Sequence, residues 1–163
     1  MLKLCHRKSL KIKAKGFSLM EIFTIGYTKK SAKRFFDSIK TNRIDVLIDI
    51  RLYNSSQLAG FSKSRDLQYF LEQICGCNYV WAPQFAPTAE LLNNYKNVSI
   101  TWIEYEKVYD ELLRIRDNLD FFEGFFGKRI CLLCAEETPY QCHRRLLAEK
   151  IKGTYKDVFL KHL

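Results

Sequence analysis

A chain of 163 residues, 47% hydrophobic and 14% aromatic, can bury a core of its own, which excludes a globally disordered protein and fits one domain of ordinary size. Its formal charge of +9 would suggest nucleic acid or a membrane surface as partner, but the charge is concentrated at one end. Residues 1–19 hold Lys3, Arg7, Lys8, Lys11, Lys13 and Lys15 and no acid, so the remainder sets 21 bases against 18 acids and is only +3.

The basic stretch has no uninterrupted apolar run, so it reads as neither a secretion signal nor a membrane span. We expect residues 1–19 to be a flexible tail or to precede the native start at Met20, where "MEIFTIGY" opens the first strand; the competing reading is an arm that grips nucleic-acid phosphates. Residues 20–163 then form a single domain. Six cysteines without a signal peptide or the density of a disulfide scaffold point to a reducing cytoplasm.

"EIFTIG" (Glu21–Gly26) predicts a strand, and "KSAKRFFDSIK" a helix with Ala32, Phe35, Phe36 and Ile39 at helical spacing. "DVLIDI" (Asp45–Ile50) is apolar enough for a strand covered on both faces, which makes the first unit βαβ. After a polar, turn-rich stretch, Ser64 is the expected cap of a helix whose Leu67, Phe70, Leu71 and Ile74 share a face, and "NYVWAP" is a third strand stopped by Pro83. A short helix around "TAELLNNY" precedes a long one from about Trp102 to about Glu123, with Val108, Leu112, Ile115 and Leu119 as its apolar stripe. "KRICLLCAE" (Lys128–Glu136) is the fourth strand, "PYQCHRRLLAEKIK" the following helix, and "KDVFLKHL" a last edge strand. The fold class is therefore α/β: a three-layer sandwich on a mainly parallel sheet of four to five strands, with helices on both faces.

Ligands of open parallel sheets bind outside the C-terminal strand ends, where loops converge and helix N-termini present free amides. Those ends supply Gly26 and Tyr27 from the first strand, Asp49 and Arg51 from the second, and Cys134 and Glu136 from the fourth. The helix that follows has an N-cap signature in Thr138, Pro139 and Gln141, which sets Cys142 and His143 just beyond its first turn, with Arg144 and Arg145 next. A thiol near a helix N-terminus and cations has a lowered pKa, so Cys142 is one candidate nucleophile and the strand-terminal Cys134 another.

Plainer readings stand beside these. Cys142 and Leu146 are four apart, so Cys142 can instead pack as a small hydrophobe. Cys131 and Cys134 form C-x-x-C, but residues three apart on a strand face opposite ways, which makes Cys131 a core residue. Cys134, Cys142 and His143 lack a fourth ligand and paired spacing, so no metal and no cofactor is expected. Asp49 and Arg51 suit a structural ion pair or an arginine oriented towards an anion, and Cys75 and Cys77 read as structural. Phosphate-loop and dinucleotide signatures are missing, and a cysteine-phosphatase loop would need arginine where Tyr140 stands.

"TIGYT", "DVLIDIR" and "LLCAEETPYQCHRRLLAE", in this order from about Glu21 to Ile151, resemble the mostly bacterial proteins grouped as domain of unknown function 488. The resemblance matches Cys134, Glu136, Cys142, His143 and Arg144 to the family's C-terminal motif and Asp49 and Arg51 to its second-strand motif. It implies the α/β fold and a cytoplasmic site, with no settled activity. The chain departs from the commoner pattern at Tyr27, where a histidine is usual, and at "APQFAPT", where many members have a glycine-rich step. His143 is thus the motif histidine that remains.

These residues lead us to expect a thiol-dependent enzyme or a ligand-binding domain whose crevice holds a small anionic or nucleotide-like ligand. Cys134 or Cys142 would be the nucleophile and His143 its base. Glu136 and Asp49 would orient neighbours or move protons, and Arg51, Arg144, Tyr27 and Gly26 would line the binding site. The rival is a non-catalytic nucleic-acid binder that uses the basic arm with Tyr27, Tyr53 and Phe61, or an interaction module in which the motif only stabilises the fold. No membrane partner is expected.

Overall fold

The computed structural model describes residues 19–55 and 60–163; the expectations for the basic arm lie outside the described residues. Strands and helices alternate except where α3 and α4 follow one another: β1 (Met20–Gly26), α1 (Ala32–Thr41), β2 (Val46–Asp49), α2 (Ser64–Phe70), β3 (Asn78–Trp81), α3 (Ala89–Lys96), α4 (Trp102–Arg116), β4 (Arg129–Cys134), α5 (His143–Thr154) and β5 (Val158–His162). The five strands form one all-parallel sheet in the order β3-β2-β4-β1-β5. The expected three-layer α/β sandwich is present, and the last edge strand pairs parallel with β1.

Each face of the sheet has its own core. On one, Phe35, Phe36 and Ile39 of α1 and Leu67 and Leu71 of the second helical segment pack on Phe23, Ile25, Leu47, Cys131 and Leu133. On the other, Tyr105, Tyr109 and Leu113 of α4 and Leu147, Ala148 and Ile151 of α5 pack on Ile22, Ile48, Ile130 and Leu132. Alternate residues of β4 therefore serve opposite layers, and Cys131 is core as expected. Burying one such large apolar side chain contributes roughly 1.5–3 kcal/mol.

Several local expectations need correction. Ser64 is the first residue of α2 and not its cap; Lys63 stands at the N-cap without a side-chain bond, and the helix continues as a wider π turn over Leu71–Cys75. Ile74 of the expected stripe is exposed. The long helix ends at Arg116, because Asp117 turns into the left-handed region (φ 41°) and Leu119–Phe125 continues as 3-10 turns. Its buried face is Tyr105, Tyr109 and Leu113, whereas Val108 and Ile115 face solvent. The aromatic residues win this face because the neighbouring helices offer rings: Tyr95 of α3 lies 5.1 Å from Tyr105 and His143 of α5 lies 5.8 Å from Tyr109, while Trp102 and Tyr105 of α4 itself stack at 5.0 Å between centroids.

The start of α5 also differs. Thr138 does not cap it; the helix begins at His143 with Cys142 at the N-cap. Gln141, which would have closed the capping box, instead accepts a hydrogen bond from the Tyr95 hydroxyl at 3.0 Å. Arg144 donates to the carbonyl oxygens of Glu136 (2.7 Å) and Glu137 (3.3 Å), which pins residues 135–142 as an irregular loop. Long-range bonds thus override a local cap signal worth about 1 kcal/mol.

Candidate functional site

β2, β4 and β1 are neighbours with β4 in the centre, so the three strand ends named from the sequence meet at one edge. The chain leaves β2 towards α2 on one face and leaves β4 towards α5 on the other. The loops part there and open a crevice at the C-terminal end of the sheet. A cavity of about 620 Å³ occupies it, within the range of small-ligand sites. Tyr27, Arg51, Glu136, Cys142 and His143 line it, together with Tyr53, Tyr95, Lys96, Trp102, Tyr105 and Tyr140.

Cys134 ends β4 fully buried, and its sulfur lies 2.8 Å from that of Cys142, which is 2% exposed. Arg144 Nη1 donates to Cys134 Sγ at 2.8 Å and approaches Cys142 Sγ at 3.5 Å. Arg144 is 0% exposed and meets no carboxylate in an ion pair among the described residues. An isolated buried guanidinium is costly and does not deprotonate, so the adjacent sulfur is the natural counter-charge.

Burial opposes ionisation of Cys134, but the Cys142 thiol, Arg144 and the Glu136 backbone amide outweigh it and hold its pKa below the ordinary thiol value. Burial and then the hydrogen bond to Cys134 push Cys142 upwards. The two shifts run opposite ways, so Cys134 is the more readily ionised sulfur of the pair and Cys142 the one that keeps its proton. Burial raises the pKa of the other described cysteines, Cys75, Cys77 (to about 12) and Cys131.

His143 follows Cys142 into the cavity wall, but its hydrogen bond runs from Nε2 to the Ile50 carbonyl at 3.3 Å and not to either sulfur. A carbonyl can only accept, so Nε2 carries the hydrogen. Burial lowers the His143 pKa to about 4, and Arg144 adds to the shift, which keeps the ring neutral at pH 7. Tyr109 meets the ring edge-on at 5.8 Å.

Asp49 and Arg51 form a buried, two-pronged ion pair: Arg51 Nε reaches Asp49 Oδ1 at 2.8 Å and Nη2 reaches Oδ2 at 2.6 Å. The Tyr79 hydroxyl donates to Asp49 Oδ2 at 2.7 Å, and Arg51 Nη2 also donates to the Ser62 carbonyl. Arg51 Nη1 is buried without a hydrogen-bond partner among the described residues, and the guanidinium carbon lies 5.3 Å from the Tyr27 ring centroid. The expected ion pair is present, and it holds a guanidinium at the cavity wall.

Gly26 does not line the cavity. A Cβ there would lie 1.6 Å from the Glu136 carbonyl oxygen and 2.9 Å from Arg144 Nη1, so this position lets the loop and the arginine close over β1. Glu136 lines the cavity from the exposed loop. Among the described residues no three His, Cys, Asp or Glu side chains converge on a metal position, and no helix is long and apolar enough to cross a membrane.

The aromatic wall is an addition to the residues named from the sequence. Trp102, Tyr105 and Tyr109 lie at i, i+3 and i+7 in "TWIEYEKVY", a helical aromatic stripe that the sequence displays. Its relation to the cysteines depends on α4 packing beside α5, and the Tyr95 to Gln141 bond ties the wall to the motif loop.

A family model described as "Domain of unknown function DUF488" matches residues 31–151. No curated protein and no solved structure matches the chain.

Proposed function

The chain belongs to the DUF488 family, and from that premise we propose that it is a thiol-dependent enzyme whose nucleophile is Cys142 and whose ligand is a small, anionic, nucleotide-like molecule. The observation that carries this reading is the wholly buried Arg144 set against two sulfurs 2.8 Å apart, with no carboxylate among the described residues to neutralise it. Arg144 also ties down the loop through the neutral carbonyls of Glu136 and Glu137, but among the described residues only the two sulfurs can balance its charge, which a core holding them merely as small hydrophobes would not provide.

Cys142 faces the cavity and Cys134 lies behind it. As Cys142 attacks, its proton moves to Cys134, so the nucleophile is activated by a second thiolate. This places Cys134 in the role of base and leaves neutral His143 to position the first turn of α5 and to offer Nδ1 as an acceptor. Arg51, aimed by Asp49, supplies charge for an anionic group at the cavity wall; its Nη1 has no hydrogen-bond partner among the described residues. Tyr27, Tyr53, Trp102 and Tyr140 supply ring surfaces against which a flat heterocycle stacks, and Glu136 accepts hydrogen bonds at the rim.

The test is site-resolved alkylation of the folded protein by iodoacetamide at pH 7, with and without AMP as the probe. Cys142 should be modified faster than Cys75, and AMP should slow Cys142 alone. Cys142 reacting no faster than Cys75 would remove the nucleophile, and protection absent at saturating AMP would remove the ligand class.

A further inference from the structure

The enzyme reading uses Cys134 only to hold a proton, yet the contact between the sulfurs allows more. We propose that Cys134 and Cys142 are a redox dithiol that delivers two electrons to a small disulfide bound in the cavity, with Cys142 as the attacking sulfur and Cys134 as the resolving one.

Three observations converge. The sulfurs lie 2.8 Å apart, well inside ordinary non-bonded contact and short of a bond, so little movement would join them. Only Cys142 of the two reaches the cavity, so a ligand meets one sulfur first and the second waits behind it, fully buried. Arg144 Nη1 contacts both sulfurs, so it neutralises whichever bears the charge as the reaction proceeds. The cavity also suits the substrate: ring surfaces from Tyr53, Trp102 and Tyr140 and the cation of Arg51 favour a disulfide carrying aromatic or anionic substituents.

The steps balance. Starting from the Cys134 thiolate, the Cys142 proton passes to Cys134 as Cys142 Sγ attacks one ligand sulfur; a bond forms from Cys142 to that sulfur, the ligand S–S bond breaks, and the first thiolate leaves. Cys134 then loses its proton to solvent and attacks Cys142 Sγ. The Cys134–Cys142 bond forms, the mixed disulfide breaks, and the second thiolate leaves. The ligand disulfide is reduced by two electrons and the pair is oxidised; an external thiol restores it. This chemistry shares Cys142 with the reading above but does not require a nucleotide-like ligand, so AMP can fail to protect while the dithiol chemistry holds.

The experiment treats the full chain with dithiobis(nitrobenzoate), an anionic aromatic disulfide, and follows chromophore release. Tryptic peptides are then mapped without reduction; Cys131, Cys134 and Cys142 fall in one peptide, where fragmentation separates them. In the wild type the Cys142 adduct should appear transiently and give way to a Cys134–Cys142 link, reversible by added thiol. Cys134→Ser should retain the adduct on Cys142, and Cys142→Ser should leave Cys134 unmodified. The wild-type time course decides the matter even if a variant does not fold. A persistent wild-type adduct on Cys142, a link through Cys131, or no reaction in the folded protein would each overturn the dithiol assignment.

Discussion

Replacing His143 by glutamine separates the cost of a buried imidazole from the rest of the site. The wild-type ring is held neutral, with its pKa at about 4, lowered by burial and secondarily by Arg144, against roughly 6.5 in the unfolded chain. The folded state binds a proton less readily, so the contribution is fully present above pH 6.5 and is lost as pH falls from 6.5 to 4. At roughly 1.4 kcal/mol per unit, that window is worth about 3 kcal/mol. A glutamine at this position could still donate an amide hydrogen to the Ile50 carbonyl, which His143 Nε2 reaches at 3.3 Å, but it does not titrate. Urea denaturation at intervals between pH 7 and 4 should show wild-type stability falling more steeply than that of His143→Gln. The difference should approach 3 kcal/mol at the acid end, and carboxylates common to both proteins cancel. Parallel curves would mean that His143 is solvated or free to move, and would refute the placement of α5 against Ile50.

Gly26→Ala forces a Cβ into the Glu136 carbonyl and towards Arg144, so it should cost about 2–3 kcal/mol and raise the apparent thiol pKa, both readable from urea denaturation and a thiol titration. Gly124→Ala, where no atom lies within 4 Å of the added carbon, should change thermal or urea stability by less than about 0.5 kcal/mol. Asp49→Asn keeps the shape but strands the Arg51 charge in a buried site; a loss of about 3–5 kcal/mol in urea denaturation is expected, and a loss under about 1 would show that Arg51 escapes to solvent.

The strand ends could be read from the sequence because parallel strands buried on both faces are short apolar runs, and "TIGY", "DIR" and "CAE" mark where those runs stop. Their adjacency could not, since the insertion of β4 between β2 and β1 is a property of pairing. The misplaced start of α5 and the misjudged face of α4 share one cause. A local signal, a capping box or an apolar stripe, was outweighed by tertiary contacts: Arg144 folding back onto the 136–137 carbonyls, and Tyr95 of α3 reaching Gln141 and Tyr105. Of the named site residues, all but Gly26, Cys134, Asp49 and Arg144 line the cavity. Cys134, Asp49 and Arg144 contact residues that do, Gly26 makes room for the loop, and these supporting roles need three dimensions to be seen.

The proposed chemistry requires one negative charge on the Cys134–Cys142 pair, neutralised by Arg144. Ultraviolet thiolate absorbance of the folded protein, titrated from acid to alkaline pH, measures it directly. The wild type should already show one thiolate at neutral pH, assigned by its loss in Cys134→Ser, and Arg144→Met should move its appearance upwards beyond the ordinary thiol range. Absence of any thiolate at pH 7 in the wild type, or an unchanged titration in Arg144→Met, would contradict it.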